Sequence, residues 1–262
     1  MKTKTPLVEC VNLCKTFSDS KKETRAVDNV NLKIYKGECY GLVGESGCGK
    51  STLSSMISAL LTPTSGTVLF KQNDISKFNK KELKEFAKQL QIVFQDPYSS
   101  LNPKHKIKNI IREPLKIHKI GTKEEQIRLV NEIRTLIGLP PDSLEKYPAQ
   151  LSGGQRQRVA IAAAMILRPE FVICDESVSA LDVLIQAQIL NLLKSMQKSL
   201  KLTFLFISHN LNVVAYMADR IGVMYRGQIV EEGTAEEILK NPQHPYTKQL
   251  LKATGLLNEP TS

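Results

Sequence analysis

Gly44-Glu45-Ser46-Gly47-Cys48-Gly49-Lys50-Ser51 fits the pattern G-x-x-x-x-G-K-[ST] at every fixed position. The apolar run Cys39-Tyr40-Gly41-Leu42-Val43 comes before it, and a helical pattern over 50–61 comes after. Strand, glycine loop and helix therefore stand in the order that a phosphate-binding loop requires. Its glycines let successive backbone N–H groups turn toward one anion, and the positive end of the next helix faces the same point. Lys50 is expected at the β- and γ-phosphates of a nucleoside triphosphate. Ser51 offers a hydroxyl to Mg²⁺, which prefers oxygen ligands and keeps several waters. Kinases, GTPases and ATPases share such a loop, so it assigns a ligand and leaves the function open.

On the N-terminal side, residues 7–17 and 27–35 alternate apolar and polar through Val8, Cys10 and Leu13, then Val30, Leu32 and Ile34, as strands with one wet face do. Phe17 ends the first of them, and its ring either stacks on adenine or packs in the core. On the C-terminal side, Thr62-Pro63-Thr64-Ser65-Gly66 marks a turn before a short strand, 67–70. A charged helix over 79–89 leads to a buried strand, 90–94, that ends at Gln95-Asp96-Pro97. Between about 99 and 148, Asn102-Pro103 and Glu113-Pro114 are expected to break the chain. Ile127, Val130, Ile133 and Ile137 place a helix over 123–137. This stretch reads as an inserted helical subdomain.

Leu151-Ser152-Gly153-Gly154-Gln155 then opens an Ala-rich helix expected over 156–167. Ser152 is a good N-cap, and the glycines expose backbone N–H groups at the positive end of the helix, which makes a second anion site. Phe171-Val172-Ile173-Cys174 reads as a strand buried on both faces of a parallel sheet. Asp175 and Glu176 fall at its carboxyl end, where open α/β sheets bind ligands. Asp175 is the expected Mg²⁺ partner, directly or through water. Glu176 is placed to orient or deprotonate a water attacking the γ-phosphate. Ser179-Ala180-Leu181-Asp182 caps a helix over 183–200 whose inner face carries Ile185, Ile189, Leu192, Leu193, Met196 and Leu200. A further buried strand, 204–207, ends in Ser208-His209. His209 alone reads as an ordinary strand-end histidine, but beside the strand of Asp175 and Glu176 it is a phosphate-contacting candidate. A hairpin over 222–230, turning at Arg226-Gly227, leads into a helical tail.

The 262 residues suffice for a substantial core, and 42% hydrophobic content is ordinary for a soluble globule. No apolar run approaches the ~20 residues of a membrane span, and Met-Lys-Thr-Lys-Thr-Pro lacks a signal-peptide core, so a cytosolic chain is expected. The five cysteines, Cys10, Cys14, Cys39, Cys48 and Cys174, are odd in number and contain no C-x-x-C, so they read as reduced, mostly buried thiols. Bulky thiol reagents at Cys48 should interfere with nucleotide binding. The net charge of +10, from 36 basic and 26 acidic residues, suits nucleic acid or an anionic membrane face. The basic residues are scattered without interleaved aromatics, so a solvated basic surface is the preferred reading and no nucleic acid is expected.

The ordered set, comprising the loop at 44–51, Gln95, Leu151 to Gln155, Asp175 with Glu176, Ser179 to Asp182, and His209, resembles the ATP-binding cassette (ABC) ATPases over nearly the whole chain. Gln95 to Pro103, Ala180-Leu181-Asp182-Val183 with Gln186-Ala187-Gln188, and Pro242-Gln243-His244-Pro245-Tyr246-Thr247 are similar to the oligopeptide, dipeptide and nickel importer subfamily. The resemblance implies an α/β fold: a P-loop NTPase core with a mainly parallel sheet, an antiparallel β subdomain and an inserted α-helical subdomain. It implies a core over 1–97 and 149–240, a helical subdomain over 98–148 with the signature at its C-terminal edge, and a tail over 241–262. It further implies that ATP lies on Phe17, Gly44, Glu45, Ser46, Gly47, Cys48, Gly49, Lys50, Ser51 and Thr52, with Mg²⁺ at Ser51, Gln95 and Asp175. Ser152, Gly153, Gly154 and Gln155 would meet the γ-phosphate held by a partner ATPase. Asp182 would couple the two sites, Gln95 would sense Mg²⁺ and the attacking water, and His209 would contact the γ-phosphate. The partners implied are a second, paralogous ABC ATPase, two membrane-spanning permeases and an extracytoplasmic substrate-binding protein, with this chain on the cytoplasmic face of the cell membrane. The cargo implied is peptide, with nickel or another metal as the alternative. A cassette ATPase acting on ribosomes or DNA is disfavoured because it commonly carries two cassettes or a long coiled-coil insertion, and an exporter or regulatory ATPase because the subfamily motifs oppose it. Ser177 stands where the family usually has proline, with little effect on the chemistry expected, and no iron-sulfur cluster is expected because no cysteine follows Cys174.

Overall fold

A computed structural model describes residues 5–19, 22–96, 100–179 and 181–256. Pro97, expected to stop the strand before it, lies outside the described residues, as do Tyr98, Ser99 and Ala180. In chain order the strands are β1 (Pro6–Asp19), β2 (Lys22–Tyr35), β3 (Cys39–Val43), β4 (Ser65–Phe70), β5 (Asn73–Asp74), β6 (Leu90–Val93), β7 (Phe171–Asp175), β8 (Thr203–Ser208), β9 (Arg220–Tyr225) and β10 (Gln228–Thr234). The helices are α1 (Lys50–Ile57), α2 (Lys80–Gln89), α3 (Ile107–Ile117), α4 (Lys123–Leu136), α5 (Gly153–Met165), α6 (Val183–Leu200), α7 (Leu211–Met217), α8 (Ala235–Lys240) and α9 (Pro245–Ala253). Contacts divide the chain into one unit of Met1–Leu83 with Thr203–Ser262 and another of Lys84–Leu202.

In the first unit, β1 pairs antiparallel with β2 and β4, and β4 with β5. Val30, Leu32 and Ile34 are buried while Asn31 and Lys33 between them face water, so the period-2 alternation is realised over 30–34. The strands run further than the polar turn between them suggested, with Phe17 paired to Thr24 and Ser18 to Glu23. β3 lies between β8 and β9, parallel to both, and all five of its residues are buried. β9 and β10 form the expected hairpin, with Arg226 at φ 47° and Gly227 at φ 83°. Two successive residues in the left-handed region match the right-handed twist of paired strands.

In the second unit, β6 and β7 pair in parallel, Leu90 opposite Phe171 and Val93 opposite Cys174. α3 corrects the expectation that Glu113-Pro114 breaks the chain: the helix passes through Pro114. Proline there forgoes the bond to the Ile110 carbonyl, a cost of about 3 kcal/mol. Burying Ile107, Ile110, Ile111 and Leu115 on one face returns about 1.5–3 kcal/mol each, which outweighs it.

Two helix boundaries and one buried face differ from expectation. α1 ends at Ile57 rather than 61, because Ser58 Oγ donates back to the Ser54 carbonyl at 2.9 Å and Ala59 turns left-handed at φ 59°. α5 begins at Gly153 rather than 156, its first turn held by a capping box. On α6 Leu190 joins Ile189, Leu193 and Met196 in the core, whereas Ile185 and Leu192 are half-buried and Leu200 is exposed.

Candidate functional site

The phosphate loop grows out of β3, whose carboxyl end adjoins that of β8: Val43 pairs with Ser208, so the loop and His209 leave neighbouring parallel strands side by side. Gly49, the N-cap of α1, has φ 112° and ψ 0°, a conformation that side chains disfavour. A Cβ on it would stand 2.2 Å from the Ala26 carbonyl oxygen. Lys50 is 4% exposed, and its Nζ donates to the Gly44 carbonyl at 2.8 Å and the Glu45 carbonyl at 2.7 Å. The ammonium is thus stored against the loop's own backbone. The Cys48 Sγ lies 3.7 Å from the same nitrogen. Burial pushes the Cys48 thiol above its usual range, against the pull of the Lys50 charge. Ser51 is exposed and Thr52 half-buried on the first turn of α1.

Two other segments hold this loop. Gly227 N–H, in the β9–β10 turn, donates to the Cys48 carbonyl at 2.9 Å. Glu45 N–H donates to the Tyr246 hydroxyl, on the first turn of α9, at 3.1 Å. His209 is exposed, just past β8. Its flanks are fastened by Ser208 Oγ accepting Asn210 N–H at 3.0 Å and by Asn210 Oδ1 capping α7. Phe17 is 45% exposed, so of its two readings core packing does not hold; the ring stands on β1 with the Lys15 ammonium 5.4 Å from its centroid.

In the second unit β7 delivers Asp175 and Glu176 to the end of a strand buried through Cys174. Glu176 takes φ 46°, a left-handed backbone rare for a side-chain-bearing residue and the kind of strain kept at functional sites. Ser179 holds this turn, its N–H donating to the Glu176 carbonyl at 3.1 Å and its Oγ to the same oxygen at 2.9 Å. Gln95, two residues past β6, donates its Nε2 to Ser179 Oγ at 3.4 Å. Gln95 and the backbone of Glu176 are thereby linked through one hydroxyl. In the sequence Ser179 stands out only as the start of the capping stretch 179–182; the signal for its second role is the three-residue spacing from Glu176, which suits a serine closing a turn. Ser177 is 1% exposed beside Cys174, whose thiol burial pushes up to about 12.

Ser152 and Gln155 cap α5 reciprocally. Ser152 Oγ accepts Gln155 N–H at 3.3 Å, and Gln155 Oε1 accepts Ser152 N–H at 3.1 Å. The two glycines between them differ. A Cβ on Gly154 would meet Ile185 Cγ2 at 2.5 Å, so α5 and α6 touch there; one on Gly153 would meet nothing nearer than Leu181 Cδ2 at 3.8 Å. Asp182 Oδ1 accepts Ile185 N–H at 3.0 Å as the N-cap of α6.

The family model for ABC transporters matches residues 27–179, and that for the oligopeptide/dipeptide transporter C-terminal region matches 230–262. The chain belongs to the ABC transporter family. Among its relatives are the oligopeptide transport ATP-binding protein OppF of Bacillus subtilis, 49% identical over 95% of this chain and 83% of that protein, and OppF of Streptococcus mutans, 47% identical over 94% and 81%. A dimeric ATP-binding cassette, MJ0796, in a post-hydrolysis state bound to ADP and phosphate, superposes with a TM-score of 0.79 at 30% identity over 87% of this chain and 98% of that one. CbiO1 of Clostridium perfringens, part of the ABC transporter complex cbiONQ, does so at 0.80 and 27% identity over 96% and 95%. The chain is an ABC-type ATPase that binds and hydrolyses ATP.

Proposed function

We propose that this chain is the ATP-hydrolysing subunit of an ABC importer for oligopeptides or dipeptides. The observation that carries this reading is the match of 230–262 to the oligopeptide/dipeptide transporter C-terminal region, beside near full-length similarity to peptide-import ATPases. The same names disfavour nickel as cargo. The chain works in a transporter complex with membrane-spanning permeases. We place it on the cytoplasmic face of the membrane, paired with a paralogous ATPase and served by an extracytoplasmic peptide-binding protein. No helix among the described residues is long and apolar enough to cross a membrane.

In this reading residues 1–97 and 149–240 form the nucleotide-binding core, 98–148 the helical subdomain and 241–262 the tail. The loop from Gly44 to Ser51, with Thr52, holds the phosphates, and Phe17 offers an exposed ring to adenine. Lys50 exchanges two neutral carbonyls for phosphate oxygens. Ser51, Gln95 and Asp175 would hold Mg²⁺. Their hydroxyl, amide and carboxylate oxygens suit a hard cation, and Gln95, its Nε2 engaged by Ser179, keeps Oε1 for the metal. The cation would neutralise charge on the β- and γ-phosphates. Glu176 takes the proton of the attacking water, and His209 donates to the γ-phosphate. Ser152, Gly153, Gly154 and Gln155 close on the partner ATPase's nucleotide, and Asp182 couples the two sites.

The two signature glycines should separate on substitution. Gly154→Ala is expected to lower stability by about 1–3 kcal/mol, because the added Cβ would stand 2.5 Å from the Cγ2 of the β-branched Ile185, whose stiff χ1 resists moving that methyl aside. Gly153→Ala, in open space on a helical first turn, is expected to keep the melting temperature and lose ATP-driven association with the partner cassette. Thermal melts and ATP-dependent gel filtration read the two effects apart. The importer assignment is tested by recovering the chain from native membranes at low salt and identifying its partners by mass spectrometry. Two permeases, a second cassette ATPase and a peptide-binding lipoprotein are expected; ribosomal or DNA-bound partners without a permease would overturn transport.

A further inference from the structure

The C-terminal segment is fastened to the phosphate loop by a chain of contacts within one unit. Glu231 on β10 accepts two consecutive backbone N–H groups of the segment, Gln243 at 2.7 Å and His244 at 3.0 Å. His244 caps α9, its Nδ1 accepting Tyr246 N–H at 3.2 Å, and Pro245 occupies the first helical position, where a missing N–H costs nothing. These bonds orient Tyr246, which is 6% exposed and stacks on Tyr225 of β9 with ring centroids 4.2 Å apart. Its hydroxyl then accepts Glu45 N–H.

The bond falls on a particular peptide. The unit joining Gly44 to Glu45 gives its N–H to Tyr246 and its carbonyl to Lys50. When Lys50 turns to a phosphate, that carbonyl loses its ammonium, and Tyr246 is what still holds the peptide plane. The Tyr246 phenol is pushed above its usual range by burial, so it remains a neutral hydroxyl across physiological pH. We propose that Tyr246 is a positioning residue for ATP binding, through which the C-terminal segment keeps the first peptide of the phosphate loop in its binding orientation. This rests on the assignment of 44–51 as the phosphate loop.

Tyr246→Phe removes the acceptor and keeps the ring, so the stack and the fold persist. Maleimide labelling of the nucleotide-free protein, mapped by mass spectrometry, reads the loop at Cys48, with buried Cys39 and Cys174 reporting on the fold as a whole. The expected result is Cys48 labelling and the ATP Kd each rising about threefold to tenfold, as loss of one hydrogen bond predicts, with Cys39 and Cys174 unchanged. An unchanged Cys48 rate, an equal rise at all three cysteines, or faster Cys48 labelling with an unchanged Kd would each overturn the proposal. Protection of Cys48 by ATP in the unsubstituted chain tests the loop assignment separately: absence of protection removes that assignment, whatever Tyr246→Phe does.

Discussion

Glu176→Gln is expected to lower ATP hydrolysis about 10²- to 10⁴-fold, the usual contribution of a positioned general base, while ATP binding is retained. The substitution replaces the proton-accepting oxygen and keeps the two bonds from Ser179 that close the turn. Both bonds from Ser179 end on the Glu176 backbone carbonyl, and the left-handed φ of 46° is no harder for glutamine than for glutamate. Gln95 reaches the same turn through Ser179 and is likewise unaffected. With binding intact and turnover blocked, ATP should accumulate a closed pair of ATPase subunits, because the step that reopens it is missing. Phosphate release gives the rate, and gel filtration with ATP gives the assembly. Stable monomers at saturating ATP would count against the two-subunit site, and turnover near the parent rate would remove Glu176 from the role of base.

Lys50→Met should weaken ATP binding about 10- to 100-fold without lowering the melting temperature of the nucleotide-free protein. The first effect follows from losing a charge-assisted contact to phosphate, worth about 1.5–3 kcal/mol. The second follows from how the lysine is held. Lys50 is 4% exposed, and its acceptors are the Gly44 and Glu45 carbonyls and the Cys48 Sγ, so among the described residues the ammonium is buried without a carboxylate in ion-pair contact. Desolvating an ammonium costs several kcal/mol, and an apolar chain of similar length relieves that cost while leaving two loop carbonyls to water. A melt with and without ATP reads both: the parent's ATP-induced shift should vanish while the baseline midpoint holds or rises. A collapse of the baseline would show that the ammonium is needed for the fold rather than kept for the ligand.

The chemistry of this chain was legible from local order. A phosphate loop announces itself because glycine freedom, a helix start and a lysine must occupy consecutive positions. The signature does so because its serine and glutamine cap a helix across three residues. β7 was legible because a strand covered on both faces leaves a continuous apolar run ending in the acids it presents. The helix through Pro114 was not: four buried side chains contributed by distant packing outweighed a local rule. Nor could Phe17 be assigned, since stacking and core readings share one residue type and only its 45% exposure separates them. What tertiary structure alone decided are the contacts between residues far apart in the chain. These are Gln95 with Ser179 across 84 positions, the clash that makes Gly154 a packing residue while Gly153 stays open, and Tyr246 on Glu45 across 201 positions. Periodicity and spacing report the geometry of one element at a time. A hydrogen bond between two elements depends on where the sheet and its loops place them, and no run of neighbouring residues encodes that placement.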